Sequence, residues 1–261
     1  MRIVASVSAL ALSVALAAAC SDSNDDTPSS AGDTGLGADS GEQALDSGET
    51  PETATPVDSG PVSCTGVEAA LVNRQNSVST GAVYVTSDVD GVKTIYVDAT
   101  AGGQQAAPTT PRVYVKLDTG TRDDITDVAA VTDTSWDLSL KRAVLYTNGG
   151  HGGSGQGGAL FLAGVEFDGV TAANATGKTF PVEVFYDAQC TPNVDQIGSI
   201  ATTFADWYDY SNTLLTPKSG TWLVKGGTGK LYKLAILNYY GAADGGTSGS
   251  SAQYTLKFKA L

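Results

Sequence analysis

The sequence predicts an all-β domain: an antiparallel sandwich or half-open barrel with long loops and little helix. Three observations lead there. Short runs rich in β-branched and aromatic residues recur through residues 64–261, separated by breaks rich in Gly, Asn and Asp. The last run, Gln253–Lys259, alternates strictly, with Tyr254, Leu256 and Phe258 on one side and Thr255, Lys257 and Lys259 on the other. No segment sustains a 3.6-residue apolar period, and Ile125–Val131 and Ala205–Tyr210 offer a helical turn or two at most.

The first predicted strands, Ala82–Ser87 and Val92–Val97, are joined through Asp88-Val89-Asp90-Gly91. The Asp-Gly pair suits a hairpin turn because glycine accepts positive φ. The same string lacks the further oxygen ligands that a calcium loop needs. Arg112–Leu117 is the next strand. The stretch Ser135–Leu160, SWDLSLKRAVLYTNGGHGGSGQGGAL, then runs from strand Trp136–Thr147 through a glycine-rich loop into strand Ala159–Phe167. In the first of these, Trp136, Leu138 and Leu140 share a face, and Asp137, Ser139 and Lys141 take the other. The phase is less clean after Arg142, which implies a bulge or a change of burial. The loop Asn148–Gly158 is too long for a tight hairpin and reads as a mobile excursion. Phe180–Tyr186 adds a strand. Thr221–Lys225 and Lys230–Tyr240 flank the turn Gly226–Gly229, and Gly241–Ser251 leads to the final strand, which reads as lying near an edge guarded by lysines.

The chain divides into three kinds of material. Residues 1–19 read as a signal peptide: Arg2 supplies a minimal positive region, Ile3–Ala17 is apolar, and Ala17–Ala19 leads into Cys20. The apolar run is too short for a stable membrane span. A cysteine directly after small residues resembles a lipobox, with Cys20 acylated as the mature N-terminus; an ordinary signal peptide with an incidental cysteine is the alternative. Residues 20–63 hold ten acidic residues, no lysine, no arginine and no aromatic, so they cannot build a core and read as a disordered tether. A coil of that length spans about 35 Å. Most of the formal charge of −13 therefore belongs to the tether and not to a binding face. The early cluster SDSNDD resembles signals that send lipoproteins to the outer face of the outer membrane; a solvated linker accounts for it equally.

Residues 64–261 suffice for one domain with a sizeable core. Their charge balance gives no footprint for nucleic acid. Cys64 and Cys190 remain, an even pair that in an exported protein reads as a disulfide, with two free buried thiols as the alternative.

The WD-led strand, the Asn-x-Gly turn and the glycine-rich segment, in this order, resemble the haem-binding HmuY family of bacterial surface lipoproteins. The aromatic stretch Trp207-Tyr208-Asp209-Tyr210-Ser211-Asn212 and the closing pair TWLVKGGTGKLYKLAILNYY and AQYTLKFK extend the resemblance over most of residues 112–261. Residues 64–111 carry none of it. The resemblance implies a β fold that holds haem between projecting loops, with iron clamped by two histidines or methionines, side chains that fill both axial positions. One such loop would fall on Asp187–Gly198, which contains neither residue type. The other would end at Asn212, whose neutral amide is a poor iron ligand. The chain has one histidine, His151, and its one methionine, Met1, leaves with the signal peptide. Trp207, Tyr208 and Tyr210 could still take a flat apolar ring, although aromatics beside a sheet are as readily core.

Enzymatic chemistry finds little support. His151 stands among glycines that offer it no packing partner. Gly153-x-Gly155-x-x-Gly158 matches the dinucleotide fingerprint, but lies between strands with no helix to follow. No GxSxG elbow surrounds Ser154, and nitrogen and sulfur ligands are too few for a metal cluster. Asp123 and Asp124 are paired carboxylates in an irregular segment, which by themselves specify nothing. The expectation is a non-enzymatic lipoprotein, membrane-held through its anchor. It would bind haem or porphyrin with altered or lost iron ligation; the alternative is an interaction lipoprotein that binds a protein or glycan at the envelope.

Overall fold

Alternating burial organises the chain into two antiparallel sheets. The computed structural model describes residues 63–195, 198–244, 246 and 249–261; the signal peptide, Cys20 and all but the last residue of the tether lie outside them. The strands are β1 Val83–Val89, β2 Val92–Asp98, β3 Val113–Lys116, β4 Thr121–Asp123, β5 Leu138–Lys141, β6 Val144–Thr147, β7 Gly158–Ala163, β8 Tyr208–Ser211, β9 Leu214–Pro217, β10 Gly220–Lys225, β11 Leu231–Asn238 and β12 Gln253–Ala260. Two short helices, α1 Thr65–Val72 and α2 Asp127–Ala130, accompany them.

The larger sheet has the order β1-β2-β12-β11-β10-β7, the smaller β4-β3-β5-β6, and β8-β9 stands as a separate hairpin. Every strand pair is antiparallel, and the open sheet orders close no barrel. The sheets bury one face of each in a shared core. Val113, Val115, Leu138, Leu140 and Leu145 of the smaller sheet meet Ile95, Val97, Trp222, Leu234, Tyr254 and Leu256 of the larger. Behind the smaller sheet, the alternate residues Tyr114 and Tyr146, with Trp136, form a second cluster with Phe185, Val72 and Ile200. Trp136 meets both tyrosine rings edge-on, and its Nε1–H donates to Ala130 O at 2.9 Å.

Several local expectations change. The strand read over Trp136–Thr147 is a hairpin: Lys141 pairs with Val144 across Arg142, whose φ is 52°. The fading alternation after Arg142 was therefore a turn. Phe180–Tyr186 is not a strand, since Pro181 cannot donate to a ladder. It forms only isolated bridges, Gly150 with Glu183 and Tyr186 with Pro192, yet buries Glu183 and Phe185. The final strand β12 lies between β2 and β11, well inside the sheet. Of its lysines, Lys257 lies over the segment that follows β7, 4.4 Å from the Phe167 ring centroid, and Lys259 Nζ donates to Asp90 O in the β1–β2 turn at 3.0 Å. Ala205–Tyr210 gives a turn and then β8, whereas Ile125–Val131 does contain α2, capped by Thr126 Oγ1 accepting from Ala129 N at 3.1 Å.

The glycine-rich loop is packed. It winds around Asn148, whose Nδ2 donates to Asp133 O at 2.8 Å and Trp136 O at 3.0 Å, while Oδ1 accepts from Gly155 N at 3.0 Å. A Cβ on Gly153 would stand 2.3 Å from Asn148 Oδ1, and one on Gly157 would stand 2.5 Å from Asn148 O. Close approach to a buried amide requires glycine at both positions. Cys64 and Cys190 form a disulfide with 5.2 Å between Cα atoms, joining the start of α1 to the loop that follows Phe185.

Candidate functional site

The turn between β5 and β6, the β8–β9 hairpin, the end of α1, Asp195 and residues 198–200 contribute to one cleft of about 1060 Å³, at the upper end of the roughly 300–1,000 Å³ usual for small-molecule sites. Its lining includes Leu71, Val72, Pro108, Ala143, Val144, Ile200, Leu215 and four tyrosines: Tyr208, Tyr210, Tyr239 and Tyr240. A second cavity, near Ser79 and Thr110, measures about 70 Å³, room for little more than solvent.

The hairpin is fixed from both ends. Asn212 and Thr213 have φ of 50° and 65°, the pair of positive values that a two-residue type I′ turn requires. At its base, Lys218 Nζ lies 2.9 Å from Asp206 and 4.0 Å from Asp209. Leu215 N donates to Tyr240 Oη at 3.1 Å, tying β9 to the residues just past β11. Trp207 supports this from below. It is 2 % exposed, donates from Nε1 to Ala143 O at 2.9 Å, and meets Tyr208 edge-on at 4.8 Å.

Of the residues singled out from sequence, Tyr208 and Tyr210 line the cleft, with Tyr210 67 % exposed at its rim. Trp207 is core, and Asn212 is the exposed turn residue beside the cleft-lining Thr213. The Asp187–Gly198 segment reaches the cleft through Asp195 and Gly198; its residues 196 and 197 lie outside the described residues. His151 does not line it. Far from being unsupported among glycines, the imidazole stacks on Tyr186 at 4.1 Å, and its Nδ1 accepts from Phe185 N at 2.9 Å. Nε2 therefore carries the ring proton, and the histidine is a building element of the fold.

Three cations that sequence reading had passed over line the same cleft: Arg112, Lys141 and Arg142. Lys141 had been assigned to an outward strand face. The adjacent Lys-Arg at the point where alternation breaks was the available signal, because a turn displaces both side chains from the sheet. Lys141 Nζ donates to Thr110 O at 2.8 Å. Burial, with the neighbouring Arg112 charge, pulls its pKa down to about 8 against a weaker opposing pull from Asp127.

The lining does not fit a two-ligand grip on haem iron. It contains no histidine, methionine or cysteine, and among the described residues no group of His, Cys, Asp and Glu is placed to hold a metal ion. Phenol oxygens remain, but burial pushes Tyr239 up to about 12, and Tyr208 is raised by burial and by Asp195. The raised pKa values disfavour the phenolate form that ferric iron would take from either residue. Among the described residues no helix is long and apolar enough to cross a membrane.

Comparison with known proteins matches this arrangement to one family. No curated protein matches the chain. Among solved structures, a candidate lipoprotein of Bacteroides fragilis is 17% identical, with a TM-score of 0.41, covering 68% of this chain and 94% of its own. A candidate HmuY-like haem-binding protein of Bacteroides vulgatus is 18% identical, TM-score 0.41, covering 68% and 96%. The apo HmuY analogue of Tannerella forsythia is 15% identical, TM-score 0.41, covering 67% and 99%. The family model described as HmuY protein matches residues 109–257, more than half of the 261 residues, and the chain therefore belongs to the HmuY family.

Proposed function

We propose that this chain is an exported, lipid-anchored envelope protein that binds haem or a related porphyrin, transforms nothing, and holds its guest without two axial side chains. The observation that carries this reading is the tyrosine-lined cleft between the hairpin and residues 198–200. A flat ring placed there gains from apolar burial at about 25 cal/mol per Å² without any bond to iron. Family membership supports the class of guest, and the missing imidazole and thioether support the altered grip.

Adding haemin to the purified protein tests it. A shifted Soret band with saturation at one equivalent is expected, and an unshifted spectrum at excess protein rejects it. A second reading, a protein- or glycan-binding lipoprotein, draws on the hairpin, which exposes Tyr210 and holds Leu214 52 % exposed. It gains if haemin leaves the protein unchanged. The anchor is tested separately. Cys20→Ala should move the protein from the membrane to the soluble fraction, and unchanged fractionation would remove lipidation from the reading.

A further inference from the structure

Among the described residues the side chains of the cleft's three cations form no ion pair, although the Asp127 charge acts on Lys141 and Asp127 accepts from the Arg112 backbone. Arg112 is 3 % exposed. Its Nε donates to Ser139 Oγ at 2.6 Å and its Nη2 to Val144 O at 2.7 Å. Lys141 donates to Thr110 O. Arg142 donates to Ser251 Oγ at 3.0 Å, and at 3.4 Å to the carbonyls of Thr100 and Ser251. All these acceptors are neutral. Elsewhere Arg74, Lys116, Arg122 and Lys218 each have a carboxylate within 4.0 Å.

The acids that share the cleft are engaged apart from these cations. Asp206 and Asp209 face Lys218, and Asp195 Oδ1 accepts from Ser199 N at 2.8 Å. Arg112 is buried over the Tyr146 ring at 4.2 Å, and Lys141 and Arg142 stand half-exposed beside it; like charges gathered at one cleft repel one another, and a site for negative charge explains the arrangement. Arg142 is also held in place. At φ 52° its backbone N donates to Ala99 O at 2.8 Å, and its O accepts from Tyr254 Oη at 2.7 Å. A non-glycine residue kept at positive φ by surrounding bonds is the kind of strain that clusters at binding sites.

Resting on the porphyrin reading above, we infer that the cleft recognises its guest by carboxylates. Lys141 and Arg142 would take the acid side chains of a planar dicarboxylate ring, with Arg112 adding charge from behind and the tyrosines taking the ring face, so that the metal is irrelevant to affinity. The ligand class is a tetrapyrrole diacid, metal-free or metallated.

Quenching of intrinsic fluorescence by three probes tests this on the full chain: haemin, metal-free protoporphyrin IX, and the dimethyl ester of protoporphyrin IX. The two diacids should bind within about threefold of each other. The ester should bind at least about tenfold more weakly, the loss expected when charge-assisted hydrogen bonds are removed. Lys141→Gln should bring the diacids toward the ester value without lowering the thermal midpoint, and the ester comparison on the parent chain needs no variant. Equal binding of ester and diacid overturns carboxylate recognition and leaves the porphyrin reading standing. So does binding of haemin without metal-free porphyrin, which would reveal a metal grip. Binding of no probe overturns both.

Discussion

Two neighbouring regions behind the smaller sheet treat charge in different ways. Around Trp136, anions are enclosed and answered by N–H and O–H donors. Glu183 accepts from Thr147 N and Oγ1 at 2.8 and 2.9 Å, and from Thr203 N and Oγ1 at 2.9 and 2.7 Å. Asp127 accepts from Gln75 N, Arg112 N and Tyr114 Oη. In the cleft, the side chains of Arg112, Lys141 and Arg142 donate to neutral acceptors. Both regions are satisfied in hydrogen bonds: among the described residues no buried polar side-chain atom lacks a partner. The anions hold segments that have no ladder of their own, whereas the cations line a cavity.

The contrast breaks most visibly at the disulfide, which ties down α1, a helix shared by the Trp136 cluster and the cleft. The bridge spans 126 residues of sequence, and in the chain-entropy picture its removal costs about 4–5 kcal/mol. Urea unfolding with and without reductant should show a loss of that order. Because α1 also brings Leu71 and Val72 to the cleft, reduction should weaken porphyrin binding as well; an unmoved midpoint would show that the loop is held without it.

A smaller loss is expected from Glu183→Ala. That change strands four donors aimed at one carboxylate, and costs about 3 kcal/mol, readable as a lowered urea midpoint. Burial pushes this carboxyl up while its hydrogen bonds pull it down. Glu183→Gln should not rescue it fully, because an amide nitrogen would face an N–H or O–H donor. Rescue to the parent midpoint would mean that the negative charge is not what the donors require.

The sheet was legible where alternation is strong and each strand has one wet face. Leu256, Phe258 and their partners in β12 declared themselves, as did the Asp90-Gly91 turn, whose φ values of 52° and 74° fit the hairpin. Short strands with exposed residues, such as β4 and the β8–β9 pair, were not legible, because little burial patterns them. Helix α1 was missed for a related reason: of its eight residues only Val72 is buried, so no apolar stripe marks it. The packed glycine loop was misread because composition signals flexibility, whereas here small residues let the chain close around Asn148. Half of the cleft was visible in Tyr208 and Tyr210. Its cations were not, since a lysine on a strand reads as solvated until a turn and a second layer remove it from water.

The smallest expected effect sharpens the comparison furthest, because it gives one residue opposite slopes for stability and for binding. Lys141 has a folded-state pKa of about 8 against an ordinary 10.5. Between those values the folded chain has released a proton that the unfolded chain still holds, so this group makes stability rise with pH across that window. Binding runs the other way. A carboxylate guest needs the charged lysine, so affinity for metal-free protoporphyrin should be full below pH 8. It should then fall by no more than about tenfold per pH unit above it. The charges acting on Lys141 are Arg112 and Asp127, and the Tyr208 and Tyr239 hydroxyls are raised out of the lower part of the window. Urea midpoints and dissociation constants at pH 7, 8 and 9 should therefore diverge in the parent, and both slopes should flatten in Lys141→Gln. Parallel slopes, or a divergence that survives the substitution, would mean that the cleft's positive charge belongs to the fold, as the anions behind the sheet do.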